Sequence, residues 1–241
     1  MPTLETAVLV VAHPDDEVLW FGSILRAVGK VIIAFRDYAA VPGLGGRRAA
    51  AMAELRYAHL TCLDIAEAGS LKRADWDHPV PTAFGLALDE AMSHSETRLR
   101  YERNFAKLRA ALADELTAGI DVFTHNPWGE YGHEDHVQVY RAVESLQEVI
   151  GFRLWTSSYC SNRSARLASR YRIGDRPMKR LPIDQAYARR IAAVYQRYDC
   201  WTWATDWVWP EEDCFLPGPL PLAETGSPEL EDRLRFVVSE L

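Results

Sequence analysis

Apolar and polar positions along this chain switch between two periods, and the switches mark strands and helices in turn. Val8-Leu9-Val10-Val11-Ala12 is an unbroken apolar run rich in β-branched residues, as a buried strand requires. Pro14 cannot donate to a ladder and pushes His13 toward extended backbone, so that strand ends at about His13. Val18, Leu19, Phe21, Gly22, Ile24, Leu25 and Val28 predict a helix closing near Gly29, and Val31-Ile32-Ile33-Ala34-Phe35 a second strand. Strand, helix, strand is the unit of a parallel sheet. Val41-Pro42-Gly43-Leu44-Gly45-Gly46 reads as a loop, and Arg47 and Arg48 open an alanine-rich helix running to about His59.

Residues 66 to 95 are irregular, with Pro79, Pro81 and several acids. A long helix is predicted at about 96 to 118, with Phe105, Leu108, Leu112 and Leu116 on one face. Residues 120 to 125 form a short strand. A helix follows His136, striped by Val137, Tyr140, Val143, Leu146 and Ile150. Residues 152 to 156 are a further strand, 159 to 180 an exposed connection with several arginines, and 183 to 197 a last helix. The Trp-rich run Trp201 to Trp209 is read as packing, and the Pro- and Gly-rich stretch from Pro217 to Pro228 as a loosely held tail before a short final element.

Composition narrows this picture without changing it. The 241 residues, 48% hydrophobic and 25% charged, suit a folded domain with a substantial core. A net charge of −7 disfavours nonspecific attraction to nucleic acid or anionic membrane. Residues 1 to 12 lack a basic flank and a long apolar run, so neither a signal peptide nor a membrane span is expected, and the expected location is cytoplasmic. Cys62, Cys160, Cys200 and Cys214 are scattered and read as reduced thiols, so any metal site here is built from histidine and carboxylate.

Two segments carry that chemistry. The first strand stops in His13-Pro14-Asp15-Asp16-Glu17, one imidazole and three carboxylates at a strand end, where α/β sheets bind ligands. The second, 120 to 125, leads through Asn126-Pro127-Trp128-Gly129-Glu130-Tyr131-Gly132 into His133-Glu134-Asp135-His136, with His133 and His136 three apart at the mouth of a helix. Either alone has a plain explanation: an acidic helix start, or a pair of exposed loop histidines. Together they suit a divalent metal with an adjacent proton acceptor. His59, His78 and His94 read as structural, and His125 as a buried, hydrogen-bonded histidine.

At these residues the chain resembles the PIG-L/LmbE-like family of zinc-dependent de-N-acetylases, which hydrolyse N-acetylglucosamine-type acetamides. The first motif matches from Ala12 to Glu17; the second, Gly132 to His136, has Glu134 where members often carry Pro. The resemblance covers roughly the first 150 residues and implies a Rossmann-like three-layer α/β/α sandwich with a mostly parallel sheet, with 1–241 as one domain and 151–241 its less typical part. It further implies that His13, Asp16 and His136 bind zinc, that Asp15 is the general base, and that a protonated His133 assists the transition state, oriented by Asp135. Tyr131 stands where some members have a tyrosine that contacts the oxyanion, and Arg48 is a substrate-binding candidate. Members often have Arg-x-x-Glu at that helix start, whereas positions 50 and 51 here are alanine.

The function expected on these grounds is hydrolysis of an N-acetylated amino sugar or its conjugate to acetate and free amine. The alternatives are a metal amidase with another acyl group and an inactive sugar-binding relative. The same ligands also take iron or cobalt. The expected partner is a small glycoconjugate, with no nucleic acid and with a homo-oligomer left open.

Overall fold

Every residue of the first strand, β1 (Val8–Val11), is buried, and successive side chains enter two different cores. Leu9 and Val11 join Val31, Ile33, Phe123 and Phe215 on one face; Val8, Val10 and Ala12 join Ile32, Ala34, Val122 and Leu154 on the other. That alternation is the two-residue period of a strand covered on both sides. The protein is described here from a computed structural model covering residues 3–55, 57, 59–89, 96–172, 177–223 and 234–236. His94 and the stretches 90–95 and 224–228, on which sequence expectations fall, lie outside the described residues.

Seven strands form the central sheet. In chain order they are β1, β2 (Lys30–Asp37), β3 (Leu60–Ala66), β6 (Asp121–Thr124), β7 (Arg153–Ser157), β9 (Lys179–Pro182) and β10 (Glu212–Pro217), arranged β3-β2-β1-β6-β7-β10-β9. The first five are parallel; β10 runs antiparallel to β7 and to β9. Two short hairpin strands, β4 (Pro81–Thr82) and β5 (Gly85–Leu86), and the pair β8 (Tyr159–Cys160) and β11 (Arg235–Phe236) lie outside the sheet.

Helices α1 (Asp16–Trp20), α2 (Leu44–Leu55) and α6 (Gln185–Arg197) supply one core, through Val18, Leu19, Trp20, Ala51, Met52, Ala188, Ile191 and Tyr195. Helices α3 (Glu96–Glu115) and α4 (Glu134–Ile150) supply the other, through Leu108, Leu112, Val139, Tyr140, Val143 and Leu146. The short α5 (Ala165–Ala168) completes the set. The result is the expected three-layer α/β/α sandwich with a mostly parallel sheet. Among the described residues no helix is long and apolar enough to cross a membrane.

The topology decides where the site sits. From β1 the chain moves outward through β2 and β3, then returns to place β6 on the opposite side of β1, with Val10 paired to Thr124. Such a reversal of strand order opens a crevice at the carboxyl ends of the two central strands.

Several local expectations give way. The helix predicted over 18 to 29 stops at Trp20, and the backbone N–H of Ser23 donates to the Asp213 carboxylate at 2.8 Å rather than to a helical carbonyl. Ile24, Leu25 and Val28 are buried nonetheless, so the apolar pattern recorded burial and not helix continuity. Gly45 and Gly46 lie inside α2, which starts at Leu44 and ends at Leu55. The apolar pattern does not mark strand β3, an edge strand interrupted at Asp64, where φ is 55° and the register with β2 shifts. The arginine-bearing connection is buried on one side, with Cys160, Ser161, Ser164, Leu167, Ala168 and Tyr171 inside. The stretch expected to be a loose tail begins at Pro217, the last residue of strand β10, and Leu220 within it is buried.

Candidate metal centre

β1 and β6 end side by side, so the two motifs, more than a hundred residues apart in sequence, meet in one crevice. The turn after β1 is knitted by its own acids. The Asp16 carboxylate accepts the His13 N–H at 2.8 Å, and Glu17 accepts the Asp15 N–H at 2.9 Å. Asp15 is held at φ 101°, a left-handed conformation costly for a residue with a Cβ. Glu17 is itself fixed by the hydroxyls of Tyr57 (3.0 Å) and Tyr195 (2.6 Å), which ties this turn to α6. Burial pushes the Glu17 carboxyl up to about 7.

The second motif leaves β6 through a loop that depends on glycine. At Gly129, φ is +66° and a Cβ would lie 2.5 Å from the His133 carbonyl oxygen. This close packing brings His133 to the N-cap of α4, where its Nδ1 accepts the backbone N–H of Asp135 at 3.1 Å.

His13, Asp16 and His136 converge. Their donor atoms all lie within 4.8 Å of one another, and all three residues are buried. Asp16 Oδ2 is 3.2 Å from His13 Nδ1 and 3.3 Å from His136 Nε2. Bonds of about 2.0–2.2 Å in a tetrahedron set donor atoms roughly 3.3–3.6 Å apart, so these spacings fit one small divalent ion. His136 Nε2 is buried with no hydrogen-bond partner, although a buried ring nitrogen ordinarily has one. The residues present therefore fit a metal.

Each histidine is braced from behind by a carboxylate. His136 Nδ1 lies 2.8 Å from Glu130, and His13 Nε2 lies 3.3 Å from Asp135. With their protons on those far nitrogens, both rings present a lone pair to the crevice. Trp20 Nε1 donates to Asp16 Oδ1 at 3.1 Å, leaving Oδ2 to face the imidazoles. Burial alone would lower His13, but Glu67, Asp135 and Asp16 outweigh it and raise it to about 10. A proton and a divalent cation compete for that same negative charge. Burial likewise opposes ionisation of Glu130, yet His125 and His136 bring its carboxyl down to about 2.

Asp15 stands beside this cluster. Burial and then the charge of Asp16 raise its carboxyl to about 8, against the opposing pull of Arg48 and Thr202. Its Oδ2 accepts from the backbone and hydroxyl of Thr202, while Oδ1 is buried and unpartnered. Burial, followed by the His13 and His136 rings, holds His133 well below the usual histidine range, which favours a neutral ring. Because Nδ1 is an acceptor, its proton resides on Nε2. The Asp135 carboxylate binds His13 and the Ser70 hydroxyl (2.6 Å), and it is the Asp135 backbone that orients His133.

Tyr131 packs edge-on against both rings, 5.8 Å from His133 and 5.3 Å from His136, and burial keeps it a neutral phenol. Arg48 is buried and ion-paired to Glu67 at 2.7 Å, and it also donates to the Arg36 carbonyl. His125 is buried as expected. It accepts the Ala12 N–H at 2.9 Å and reaches Glu130 through Nδ1.

Sequence reasoning missed Glu67, Ser70, Glu130 and Thr202. Glu130 had a usable signal, being an acid between two histidine-bearing segments. Thr202 had none, for it arrives on the linker between α6 and β10. In that linker Trp203 lies 4.8 Å from Tyr131 and 5.1 Å from Trp20, and Trp207 lies 6.0 Å from Trp20. The tryptophans thus pack as expected, and they do so along the edge of the crevice.

Fold and crevice together define a class: an α/β protein carrying a buried two-histidine, one-aspartate cluster at the switch point of its sheet. Residues 8–147 match the PIG-L family, described as GlcNAc-PI de-N-acetylase, and the chain belongs to that family. Among solved structures, the zinc-inhibited form of teicoplanin deacetylase Orf2 is similar, with 16% identity and a TM-score of 0.50 over 91% of this chain and 99% of that one. This likeness bears on the fold alone. No match is found among functionally curated proteins.

Proposed function

We propose that this protein is a metal-dependent de-N-acetylase that cleaves the acetamide of an N-acetylated amino sugar or its conjugate. The observation that carries the reading is the convergence of His13, Asp16 and His136 beside a carboxylate, Asp15, with one unpartnered oxygen. His13, Asp16 and His136 would hold zinc or a similar divalent ion. When bound, such an ion lowers the pKa of a water toward roughly 7 and draws electrons from the amide carbonyl.

The remaining work falls to the chain. Asp15, whose carboxyl ionises when a cation offsets the Asp16 charge that raises it, takes a proton through Oδ1 from the attacking water and later delivers it to the amide nitrogen as the C–N bond breaks. His133, through Nε2–H, and the Tyr131 hydroxyl are the donors available to the oxyanion; one such donor is worth roughly 10²–10³ in rate. Asp135 holds His13, and Glu130 holds His136. Arg48, through its pair with Glu67, supports the wall beside His13. A module that only bound sugar would have no use for a buried carboxylate oxygen left unpartnered beside a metal site.

The test is a screen of N-acetylated sugars and their conjugates for matched release of acetate and amine, in metal-loaded and chelator-treated protein. Loading should be a titration across zinc, iron and cobalt, since a fold relative is known in a zinc-inhibited form. Release only when metal is present, falling by at least about a hundredfold in Asp15→Asn with metal retained, is the expected result. Wild-type rates from Asp15→Asn would remove Asp15 from the base role.

A further inference from the structure

We infer that Thr202 is a positioning residue for Asp15, fixing which carboxylate oxygen is free to act as the base; this rests on the reading of Asp15 given above. Two donors of one residue converge on a single oxygen: the Thr202 backbone N–H at 2.8 Å and its hydroxyl at 2.7 Å, both to Asp15 Oδ2. The other oxygen, Oδ1, is equally buried and has no partner. A carboxylate gripped in this way cannot exchange its two oxygens by rotation without losing both bonds.

The main chain of Asp15 is fixed separately. Its N–H is held by Glu17 and its φ is 101°, so the residue is constrained from the α1 side through its backbone and from the linker side through its carboxylate. The linker is pinned on both sides of Thr202. Cys200 is buried with its N–H on the Tyr195 carbonyl, Trp203 lies against Trp20 and Tyr131, and Trp209 Nε1 donates to the Val18 carbonyl at 2.6 Å. A catalytic group held by donors that are themselves immobile is preorganised, and small displacements of such groups are costly in rate. Thr202 lies outside the matched residues 8–147, so the base is aligned by a part of the chain that the family motifs do not reach.

The experiment compares Thr202→Val, Thr202→Ala and Thr202→Ser in the metal-loaded full chain, on the best substrate found. Losing a hydroxyl bonded to a charged group should lower kcat roughly tenfold to a hundredfold in Val and Ala, with KM and bound metal unchanged. Ser, which keeps the hydroxyl, should retain near wild-type kcat. Ala removes the same hydroxyl without added bulk, so it decides the matter if Val does not fold. In an Asp15→Asn background the same change should cost nothing further, because Thr202 acts only through that carboxylate. Wild-type kcat in Val and Ala, an equal loss in Ser, or a full additional loss on top of Asp15→Asn would each overturn the positioning role. Absence of turnover in metal-loaded wild-type protein would instead overturn the reading of Asp15 on which it rests.

Discussion

The candidate metal centre is braced by residues beyond the three that converge at it. Glu130, at φ 50° and fully buried, accepts from His125, His136, Ser157 and the Asn126 backbone, so four groups are aligned by one carboxylate. Glu130→Gln would place an amide N–H against ring nitrogens that now donate. Metal affinity is expected to fall roughly tenfold to a hundredfold, measured by competition with a chromogenic chelator. Unchanged affinity would show that the Glu130 contact does not hold His136 in a ligating orientation. The three residues of the cluster are legible in the sequence because their chemistry is local: His13 and Asp16 stand in one turn, and His136 lies at the start of a helix. The residues that brace them were not, because contacts such as Arg48 to Glu67 or Ser70 to Asp135 are made across the fold and leave no periodicity in the chain.

At the scale of elements, Glu134 explains the departure from the family's usual proline. Its buried carboxylate accepts the backbone N–H groups of Lys72, Arg73 and Ala74 and the indole N–H of Trp76, all within 3.2 Å. One side chain at the start of α4 thus anchors the loop that carries Ser70 onto Asp135. Glu134→Ala leaves several buried donors without acceptors and should cost on the order of 2–4 kcal/mol in unfolding free energy, with faster proteolysis at residues 70 to 76. An unaltered denaturation midpoint would mean that water replaces the carboxylate freely. Strands buried on both faces, such as β1 and β2, and the striped helix α4 announced themselves through apolar pattern. The edge strand β3 is only half-buried and bulged, and β10 is bounded by prolines, so neither carried a clean period. The helix expected over 18 to 29 failed for the opposite reason, its apolar spacing being satisfied by a turn that Asp213 caps from another part of the chain.

For the whole molecule, Asp213 offers a test of how strand β10 is joined to the turn that follows the first helix. It is fully buried in β10, bonded to the Ser23 N–H and the Tyr159 hydroxyl, and burial raises it from 3.8 to about 6 despite those two bonds. A raised folded-state value means that the fold binds this proton more tightly than the unfolded chain does. Its contribution to stability is full below about 3.8 and is lost as pH rises through 6. Asp213→Asn, whatever its absolute stability, should flatten this component of the unfolding free energy between pH 4 and pH 6.5, a slope of at most about 1.4 kcal/mol per pH unit. An identical pH profile in the variant would show that Asp213 ionises as it does in water. On the proposed reading, two distant segments fold to close one imidazole and carboxylate set around a single ion. Calorimetric titration of chelator-stripped protein with zinc measures this most directly. One equivalent per chain should bind to the wild type, and His13→Ala and His136→Ala should alike lose that binding. Tight binding that survives either substitution, or none in the folded wild type, would contradict it.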